Sequence, residues 1–318
     1  MSDMPLVSVC IPAYNHEKYI EESILSVIDQ IYTDIELIVI DDGSKDSTWE
    51  KLCALRPMCE KRFKNVVFML QENQGLCTTL NRTIAMAKGK YLYLMASDDT
   101  TKPDAIAEQV DFMEKNPEYV LCVGDNEIID ANSKRVAWGK KREIVAFDEG
   151  YKTFAAYLMS KEGTPQFNST DFGTYPTLAC GNYVVNGYLI RKDAFDMTGG
   201  YTTEAPLDDW YMMMQLSKQG KFKFIDKILF SYRWHGENSI TQKERMKQFY
   251  RKTLLHEEKV LKEKYPDLLP IFYEKNTKTK YVINLKPLLV LSKIKDLHYK
   301  RVRLTLFGLS ITLYKKAL

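Results

Sequence analysis

Two pairs of adjacent aspartates each follow an apolar run in the first third of the sequence. Asp41 and Asp42 come directly after residues 37–40, and Asp98 and Asp99 end the run YLYLMASDD. Either pair alone is explained by a turn, because aspartate suits tight turns. Two such pairs at the ends of parallel strands would meet at one edge of a sheet. Converging carboxylates need a counter-charge, and a divalent cation with oxygen ligands supplies it.

Two further groups of polar residues lie in the second half of the chain. In GGYTTEAPLDDWYMMMQL, Asp208 and Asp209 open a predicted helix, where helix capping explains one of them. In LFSYRWHGENSIT, His235 follows a predicted strand and has polar and aromatic neighbours. A lone histidine is as compatible with a structural role as with metal or proton chemistry. On the residues alone, both groups stay open to either interpretation.

The elements that must position these residues alternate between strand and helix through the first 124 residues. The predicted strands cover residues 7–11, 37–40, 66–70, 91–96 and 119–123. Such alternation predicts an α/β fold, in which a Rossmann-like, mostly parallel sheet lies between flanking helices. Ligands then bind beyond the carboxyl ends of the strands, where both aspartate pairs fall.

After residue 124 the pattern is less regular. A turn at Asn132 and Ser133 separates two short predicted strands, and residues 160–176 form a predicted mobile loop. The later predicted elements are strands 183–190, 222–225 and 228–232, and helices 207–219 and 242–264.

Composition and segment lengths exclude several classes of protein. The chain has 318 residues, 45% of them hydrophobic and 27% charged, which is typical of a soluble globular protein. Its six cysteines are scattered without metal-ligand spacing, which favours a reducing cytoplasm. The N-terminus has no signal-peptide pattern. The longest uncharged apolar run, LTLFGLSITLY, is shorter than the roughly 20 residues that span a membrane.

The charge is distributed unevenly along the chain. Residues 1–240 contain 26 Lys and Arg against 35 Asp and Glu, whereas residues 241–318 contain 19 against 7. A basic tail on an acidic body indicates an anionic partner, either a nucleic acid or a membrane surface. Because no aromatic platform or recognised nucleic-acid module accompanies the tail, we predict no nucleic-acid partner and a peripheral membrane contact.

The usual phosphate-binding loops are missing. After the first predicted strand comes PAYNHEKY, which is neither a dinucleotide-binding glycine motif nor a lysine-bearing phosphate loop. A bound diphosphate would therefore depend on the metal for much of its charge compensation. The same segment argues against a sugar nucleotidylyltransferase, which needs a glycine-rich and basic loop here.

The motifs together resemble glycosyltransferase family 2, whose members have the GT-A fold. The resemblance begins with VSVCIPAYNHEKYIEESILSVIDQIYTDIELIVIDDGSKDST, continues through ENQGLCTTLNRTIAMAKGKYLYLMASDD and GGYTTEAPLDDW, and ends with YRWHGENS. It covers residues 5 to about 240. It implies a GT-A domain over residues 1–240, with a nucleotide-sugar half (1–124) and an acceptor half (125–240). Residues 241–318 are then a helical, basic C-terminal extension.

The resemblance also assigns roles in nucleotide binding. Pro12 and Tyr14 in the first loop, together with Asp42, would hold the nucleotide base, with Asp42 accepting the ring N–H of uracil. Asp98 would lie near the ribose. Many relatives have an acid where this chain has Ala96, so the metal motif is incomplete here.

The catalytic and metal-binding roles follow in the same way. Asp99 and His235 would bind Mn²⁺ or Mg²⁺, and Asp209 would act as the general base, with Asp208 in place of the usual glutamate. The implied reaction is inverting transfer of a hexose or N-acetylhexosamine from a UDP-sugar to a glycan.

The implied acceptor is a polyprenyl-diphosphate-linked oligosaccharide in O-antigen or capsule synthesis. The enzyme would then lie in the cytoplasm, peripheral to the inner face of the plasma membrane. A non-catalytic carbohydrate-binding protein remains the alternative, and release of UDP from a UDP-sugar distinguishes the two.

Overall fold

The structure, a computed structural model, describes residues 4–236, 238, 242–285, 289–306 and 309–317. The chain divides into two compact units. The first contains most of the chain up to residue 241, and the second contains the chain from Gln242 onward with two short segments, Ala179–Gly181 and Glu204–Leu207. Glu237 and Ser239 of the predicted C-terminal motif lie outside the described residues, as does part of each apolar run in the tail.

A largely parallel sheet forms the centre of the first unit. Its strands are β1 (Val7–Ala13), β2 (Ile35–Asp41), β3 (Asn65–Leu70), β4 (Tyr91–Leu94), β5 (Thr100–Thr101), β6 (Tyr119–Ile129), β7 (Arg135–Trp138), β8 (Ile144–Val145), β9 (Tyr188–Arg191) and β10 (Lys221–Arg233). The strand order is β3-β2-β1-β4-β9-β6-β10-β5, with the β7–β8 hairpin attached to β6. Only β9 and β5 in that order run antiparallel to their neighbours.

Helices pack against this sheet, and its central strands are buried. They are α1 (Ile20–Ile28), α2 (Thr48–Arg62), α3 (Leu76–Ala85), α4 (Ala105–Lys115), α5 (Phe154–Met159), α6 (Tyr175–Leu178), α7 (Lys192–Asp196) and α8 (Asp208–Leu216). All seven residues of β2 are buried, as expected of a parallel strand covered on both faces. The predicted α/β fold with a mostly parallel sheet is confirmed.

Two strands differ from their predicted bounds for identifiable reasons. β1 does not end at Pro12, because it pairs with β4 only as far as Cys10 and continues along β2 alone. A proline without an N–H is tolerated there. The two strands predicted over 222–225 and 228–232 are one strand, β10, with a register shift between Ile225 and Ile228.

The second unit is helical only in its first part. It contains α9 (Lys243–Lys264), a 3₁₀ turn, α10 (Leu269–Asn276), and an antiparallel sheet of β11 (Lys278–Leu285), β12 (Leu289–Lys295), β13 (Tyr299–Leu306) and β14 (Leu309–Ala317). The sheet corrects the expectation of a helical extension. In YKRVRLTL, basic and apolar residues alternate with the period of a strand. Among the described helices, none is long and apolar enough to cross a membrane.

Arg233, at the carboxyl end of β10, fixes the turn that carries the second aspartate pair. Its side chain is fully buried. Its backbone N–H donates to Asp99 Oδ1 at 2.8 Å, and its Nε donates to the backbone oxygen of Asp98 at 2.6 Å. One residue therefore determines both the path of the turn and the direction of the Asp99 carboxylate.

The other guanidinium nitrogens of Arg233 bond to two more segments, α1 and the turn after β6. Nη2 donates to Glu22 Oε2 at 2.6 Å, and Nη1 donates to the backbone oxygen of Asp130 and to Ser133 Oγ, at 3.1 and 2.8 Å. The guanidinium carbon lies 4.9 Å from the centre of the Tyr19 ring. The charge is buried but paired, and each of the three guanidinium nitrogens donates a hydrogen bond, which is the condition for burying it.

We expect Arg233→Met to lower the free energy of unfolding by about 3 kcal/mol, because buried acceptors lose their donor and Glu22 loses its partner. Urea denaturation measures this. Arg56→Met is the control, since Arg56 is partly exposed, pairs with Glu60 in the same helix and lies over the Phe68 ring. Its loss should be below about 1 kcal/mol. Equal losses in the two variants would contradict the role given to Arg233.

Candidate functional site

The loop after β1 is tied to the loop after β2 by reciprocal hydrogen bonds. Asn15, with a φ of 53°, accepts at Oδ1 from the backbone N–H of Lys45 at 2.8 Å and donates its own N–H to Ser44 Oγ at 2.9 Å. Glu17 donates its N–H to Asp46 Oδ2 at 3.0 Å. The two loops therefore form a single surface at the carboxyl edge of the sheet.

Asp42 is almost fully buried beneath these loops. Its Oδ1 accepts from Gln71 Nε2 and from the backbone N–H of Gln74, at 2.7 and 2.8 Å, and its Oδ2 accepts from the N–H of Gly75 at 2.9 Å. A carboxylate has about four acceptor positions, so one remains for a ligand. Gly43 follows with a φ of 76°, and a Cβ there would lie 2.9 Å from the backbone nitrogen of Asn73.

The other residues predicted to hold the base lie at the end of β1 and in the loop after it. Tyr14 exposes 45% of its surface, and Pro12 is partly exposed at the end of β1. An exposed ring beside a carboxylate with a free acceptor position is compatible with a nucleotide base. The roles of Pro12, Tyr14 and Asp42 stay predictions.

The turn after β4 brings two histidines to Asp98. His235 Nε2 lies 3.0 Å from Asp98 Oδ2, and His16 Nε2 lies 3.9 Å from the same oxygen. His16 is held from its other ring nitrogen, since Nδ1 lies 2.7 Å from Ser97 Oγ. The ring of Tyr19 lies 5.1 Å from that of His235. Asp98 is thus the carboxylate that bonds His235.

Asp99 points into the protein instead. It is 1% exposed. Its Oδ1 accepts the N–H of Arg233, and its Oδ2 lies 3.4 Å from Asn186 Nδ2, a donor in the loop before β9. The Asp99 side chain therefore holds the turn against β10 and the loop before β9.

The adjacent carboxylates of this turn have opposite pKa shifts. Burial alone would raise the pKa of Asp98, but the hydrogen bond with His235 and the charges of His16 and His235 lower it below the usual value. Burial, followed by the charge of Asp98, raises the pKa of Asp99 well above its usual value. A negative charge is therefore held more readily on Asp98 than on Asp99.

The residues at this turn fit part of a metal site. Among the described residues, no three His, Cys, Asp or Glu side chains are grouped closely enough to hold a metal alone. Asp98 and His235 offer two donors. Mg²⁺ is often held by one or two protein ligands, with phosphate oxygens and waters completing its shell. The pair thus suits a metal that binds together with a diphosphate.

The third aspartate pair opens α8. The Tyr188 hydroxyl donates to Asp209 Oδ1 at 3.2 Å. Asp209 is exposed, whereas Asp208 is half-buried. Burial, followed by the charge of Asp209, raises the pKa of Asp208 to about 8. Burial also raises the pKa of Asp209, and the Tyr188 hydrogen bond opposes that effect. Although Asp209 is open to solvent, the surrounding protein disfavours its charge.

Tyr232, near the end of β10, connects the two carboxylate pairs. Burial raises the pKa of its hydroxyl, and the charges of Asp99, Asp98 and Asp209 raise it further, while Arg142 opposes them. All three carboxylates therefore lie within electrostatic range of one phenol. The structure gathers them at the edge of the sheet where β1, β2 and β4 end.

Several residues of the site carried weak or no signal in the sequence. His16 follows the first strand, as the aspartates follow theirs, and the same rule would have selected it. Asn186 and Tyr188 come beside Asp99 and Asp209 only because β9 pairs antiparallel between β4 and β6. Arg142 reaches Tyr232 through the β7–β8 hairpin, whose fold the sequence does not specify.

Comparison with solved structures supports the same architecture. S. aureus TarS in complex with UDP-GlcNAc superposes with a TM-score of 0.60 at 16% identity, covering 85% of this chain and 71% of that one. The mannosyltransferase PcManGT from Pyrobaculum calidifontis, in complex with GDP-Man and Mn²⁺, gives 0.56 at 14% identity, covering 85% and 74%. At these identities the likeness shows the shared GT-A fold.

Sequence comparison identifies the family in addition to the fold. Chondroitin synthase from Escherichia coli is 28% identical over 244 residues, which are 76% of this chain and 30% of that protein. The chain thus spans about a third of the length of the curated relatives it matches. The family model described as Glycosyl transferase family 2 matches residues 8–173, just over half of the chain. The chain belongs to glycosyltransferase family 2.

Proposed function

We propose that this protein transfers a hexose or N-acetylhexosamine from a UDP-sugar to a growing glycan in bacterial polysaccharide synthesis. The observation that carries the proposal is the convergence of Asp99 and Asp209 on one short segment: Asn186 lies 3.4 Å from Asp99, and Tyr188, two residues later, donates to Asp209. Asp98 and Asp42 lie at the same edge of the sheet. The relation to a chondroitin synthase and the fold shared with a protein that binds UDP-GlcNAc support it.

The donor would bind across the ends of β2, β1 and β4. Asp42 keeps one acceptor position for the uracil N–H, beside the exposed Tyr14. Asp98 and His235 would hold Mn²⁺ or Mg²⁺, which supplies Lewis-acid stabilisation of the leaving diphosphate. Asp99, fixed by Arg233 and Asn186, keeps the turn in place.

Asp209 would take the proton from the acceptor hydroxyl. A sugar hydroxyl is a poor nucleophile and needs a base as attack begins. A raised pKa makes the carboxylate a stronger base, and the Tyr188 hydroxyl orients it. Attack from the face opposite the leaving group inverts the anomeric carbon, so an α-linked UDP-sugar yields a β-linkage.

The direct test is incubation with a panel of UDP-sugars and Mn²⁺, with and without glycan acceptors, while UDP release is measured. A glycosyltransferase releases UDP faster when its acceptor is present. Binding of UDP-sugars without release would favour the carbohydrate-binding alternative. Exchange of pyrophosphate into UTP would favour a nucleotidylyltransferase.

Replacing Asp98 and Asp99 one at a time by asparagine separates the roles of the two carboxylates. We expect Asp98→Asn to weaken Mn²⁺-dependent UDP affinity by roughly 10- to 100-fold, because it removes the charged donor beside His235. Asp99→Asn should change it less, since an amide resembles the neutral form of this buried side chain. Calorimetric titration with UDP, with Mn²⁺ and with chelator, measures both. The reverse ranking would support Asp99 as the ligand, as the family resemblance implies.

Replacement of the base gives the strongest test of catalysis. Asp209→Asn keeps the shape and the helix-capping ability but cannot accept a proton. We expect turnover to fall by roughly 10²- to 10⁴-fold while UDP-sugar binding persists. If Asp209 only caps α8, asparagine is an equal replacement and turnover should hardly change.

Asp208→Asn is the matched control, with a smaller effect on turnover and a distinct effect on stability. A carboxyl whose folded pKa is raised loses stability as the pH rises from its ordinary 3.8 to about 8. The asparagine variant avoids this loss, so it should melt at a higher temperature than the wild type near pH 8 and at a similar one near pH 4. An essential Asp208 with a dispensable Asp209 would shift the base assignment by one residue.

The second unit supplies the proposed contact with the membrane. Its outer strand β14 is exposed along its whole length, and Leu309, Ile311 and Leu313 expose 80, 57 and 56% of their surface. From Lys275 onward the sequence contains 11 Lys and Arg and one acid, Asp296. Basic residues near an anionic surface contribute roughly 1 kcal/mol each. Such a contact would hold the enzyme beside a polyprenyl-diphosphate-linked acceptor of O-antigen or capsule synthesis.

We expect the triple substitution Leu309→Ser, Ile311→Ser and Leu313→Ser to reduce binding to vesicles containing anionic lipid. Transfer to a short soluble acceptor should persist, because the site lies in the other unit. Cosedimentation measures the first and UDP release the second. Met197→Ser, at a site 70% exposed in the first unit, is the control. Equal vesicle binding by the triple variant and the wild type would refute the membrane contact.

A further inference from the structure

Arg142 has an unusual backbone conformation in the turn of the β7–β8 hairpin. Its φ is 64°, in the left-handed region that residues with a Cβ rarely adopt. The turn is closed by hydrogen bonds from the N–H of Gly139 to the oxygen of Glu143 at 2.8 Å, and from the N–H of Arg142 to the oxygen of Gly139 at 3.1 Å. Such strain persists where the surroundings determine the conformation, and it often marks a functional position.

The Arg142 guanidinium lies against an aromatic cluster. Its carbon is 5.3 Å from the ring centres of Trp138 and Phe154 and 5.1 Å from that of Tyr157. Trp138, fully buried, continues the cluster to β10, where its ring lies 5.8 Å from Tyr232. The rings attract the cation and remove water from one side of it, which strengthens its interaction with an anion.

No carboxylate neutralises this guanidinium within the described part of the chain. Two other arginines near the site are paired with carboxylates: Arg135, in the same hairpin, lies 2.7 Å from Glu127, and Arg233 lies 2.6 Å from Glu22. Arg142 is half-buried, and among the described residues its guanidinium contacts aromatic rings only. A positive charge held in a fixed position without a protein partner is suited to a ligand anion.

The position of the hairpin indicates which substrate provides that anion. The nucleotide loops follow β1 and β2, on one side of β4 in the strand order, whereas the hairpin is attached to β6 on the other side. Arg142 therefore lies past the Asp98–Asp99 turn, away from the base-binding loops. The Trp138 ring connects Arg142 to Tyr232, and the charge of Asp209, the proposed base, also affects the pKa of Tyr232.

We infer that Arg142 binds an anionic group of the acceptor glycan, a sugar carboxylate or a phosphate, and so selects an acidic acceptor. The inference rests on the proposed glycosyl transfer. The planar guanidinium can donate two parallel hydrogen bonds to either group. The aromatic cluster keeps the guanidinium in place, so little conformational entropy is lost on binding.

Equilibrium binding to disaccharides tests this without turnover. The probes are a glucuronate-terminated disaccharide, the matching glucose-terminated one and its 6-phosphate. We expect the wild type, with UDP and Mn²⁺ present, to bind a charged probe at least about tenfold more tightly than the neutral one. Arg142→Met, which keeps most of the stem, should reduce that preference to near unity. Lys141→Met, on the exposed neighbour, should keep it.

The alternatives give different results. If Arg142 only packs on the rings, the methionine variant weakens all three probes alike or none, and the inference is wrong. If it serves the donor diphosphate, UDP affinity falls with the substitution, which also overturns the inference. Preference for glucuronate or for phosphate identifies the source of the anion. A wild type that binds charged probes through Arg142 but releases UDP from no UDP-sugar would contradict the proposed function and leave the inference standing.

Discussion

The buried guanidinium of Arg233 is the interaction on which the geometry of the carboxyl edge depends. It joins segments as distant in sequence as Glu22 and the end of β10, 211 residues apart. Its Nε donates to the backbone oxygen of Asp98, and the Asp98 side chain faces His235. Its backbone N–H donates to the carboxylate of Asp99, so the Asp99 side chain points into the protein. The carboxyl edge of the sheet is therefore assembled by long-range contacts, and local turn preference alone would not produce it.

This arrangement gives chemically identical neighbours different properties. Asp98 has a lowered pKa because two imidazoles face it, and Asp99 has a raised one because burial and the charge of Asp98 act on it. Asp208 and Asp209 repeat the principle at α8, with the Tyr188 hydroxyl bonded to only one of them. Carboxylates whose environments separate their pKa values can take different roles in one reaction.

The parts of the protein that sequence reasoning anticipated are those with a local signal. Buried parallel strands such as β2 are continuous apolar runs, and the aspartates directly after them are visible in the same pattern. Asn186, Tyr188 and Arg142 have no such signal, because the pairing of β9 and the hairpin turn decide what they contact. The terminal sheet was missed for a related reason: its period-two pattern is interrupted by register shifts in β11 and β14.

Strand β14 also bears on how the protein avoids associating with itself. Among the described strands none pairs with its outer edge, and an edge with unpaired backbone N–H and C=O groups is a template for another chain. Lys315 and Lys316 occupy the end of this strand, and like charges on two approaching edges repel each other. Lys315 and Lys316 belong to the basic residues proposed to contact lipid headgroups. In solution, they would also oppose edge-to-edge aggregation of the protein.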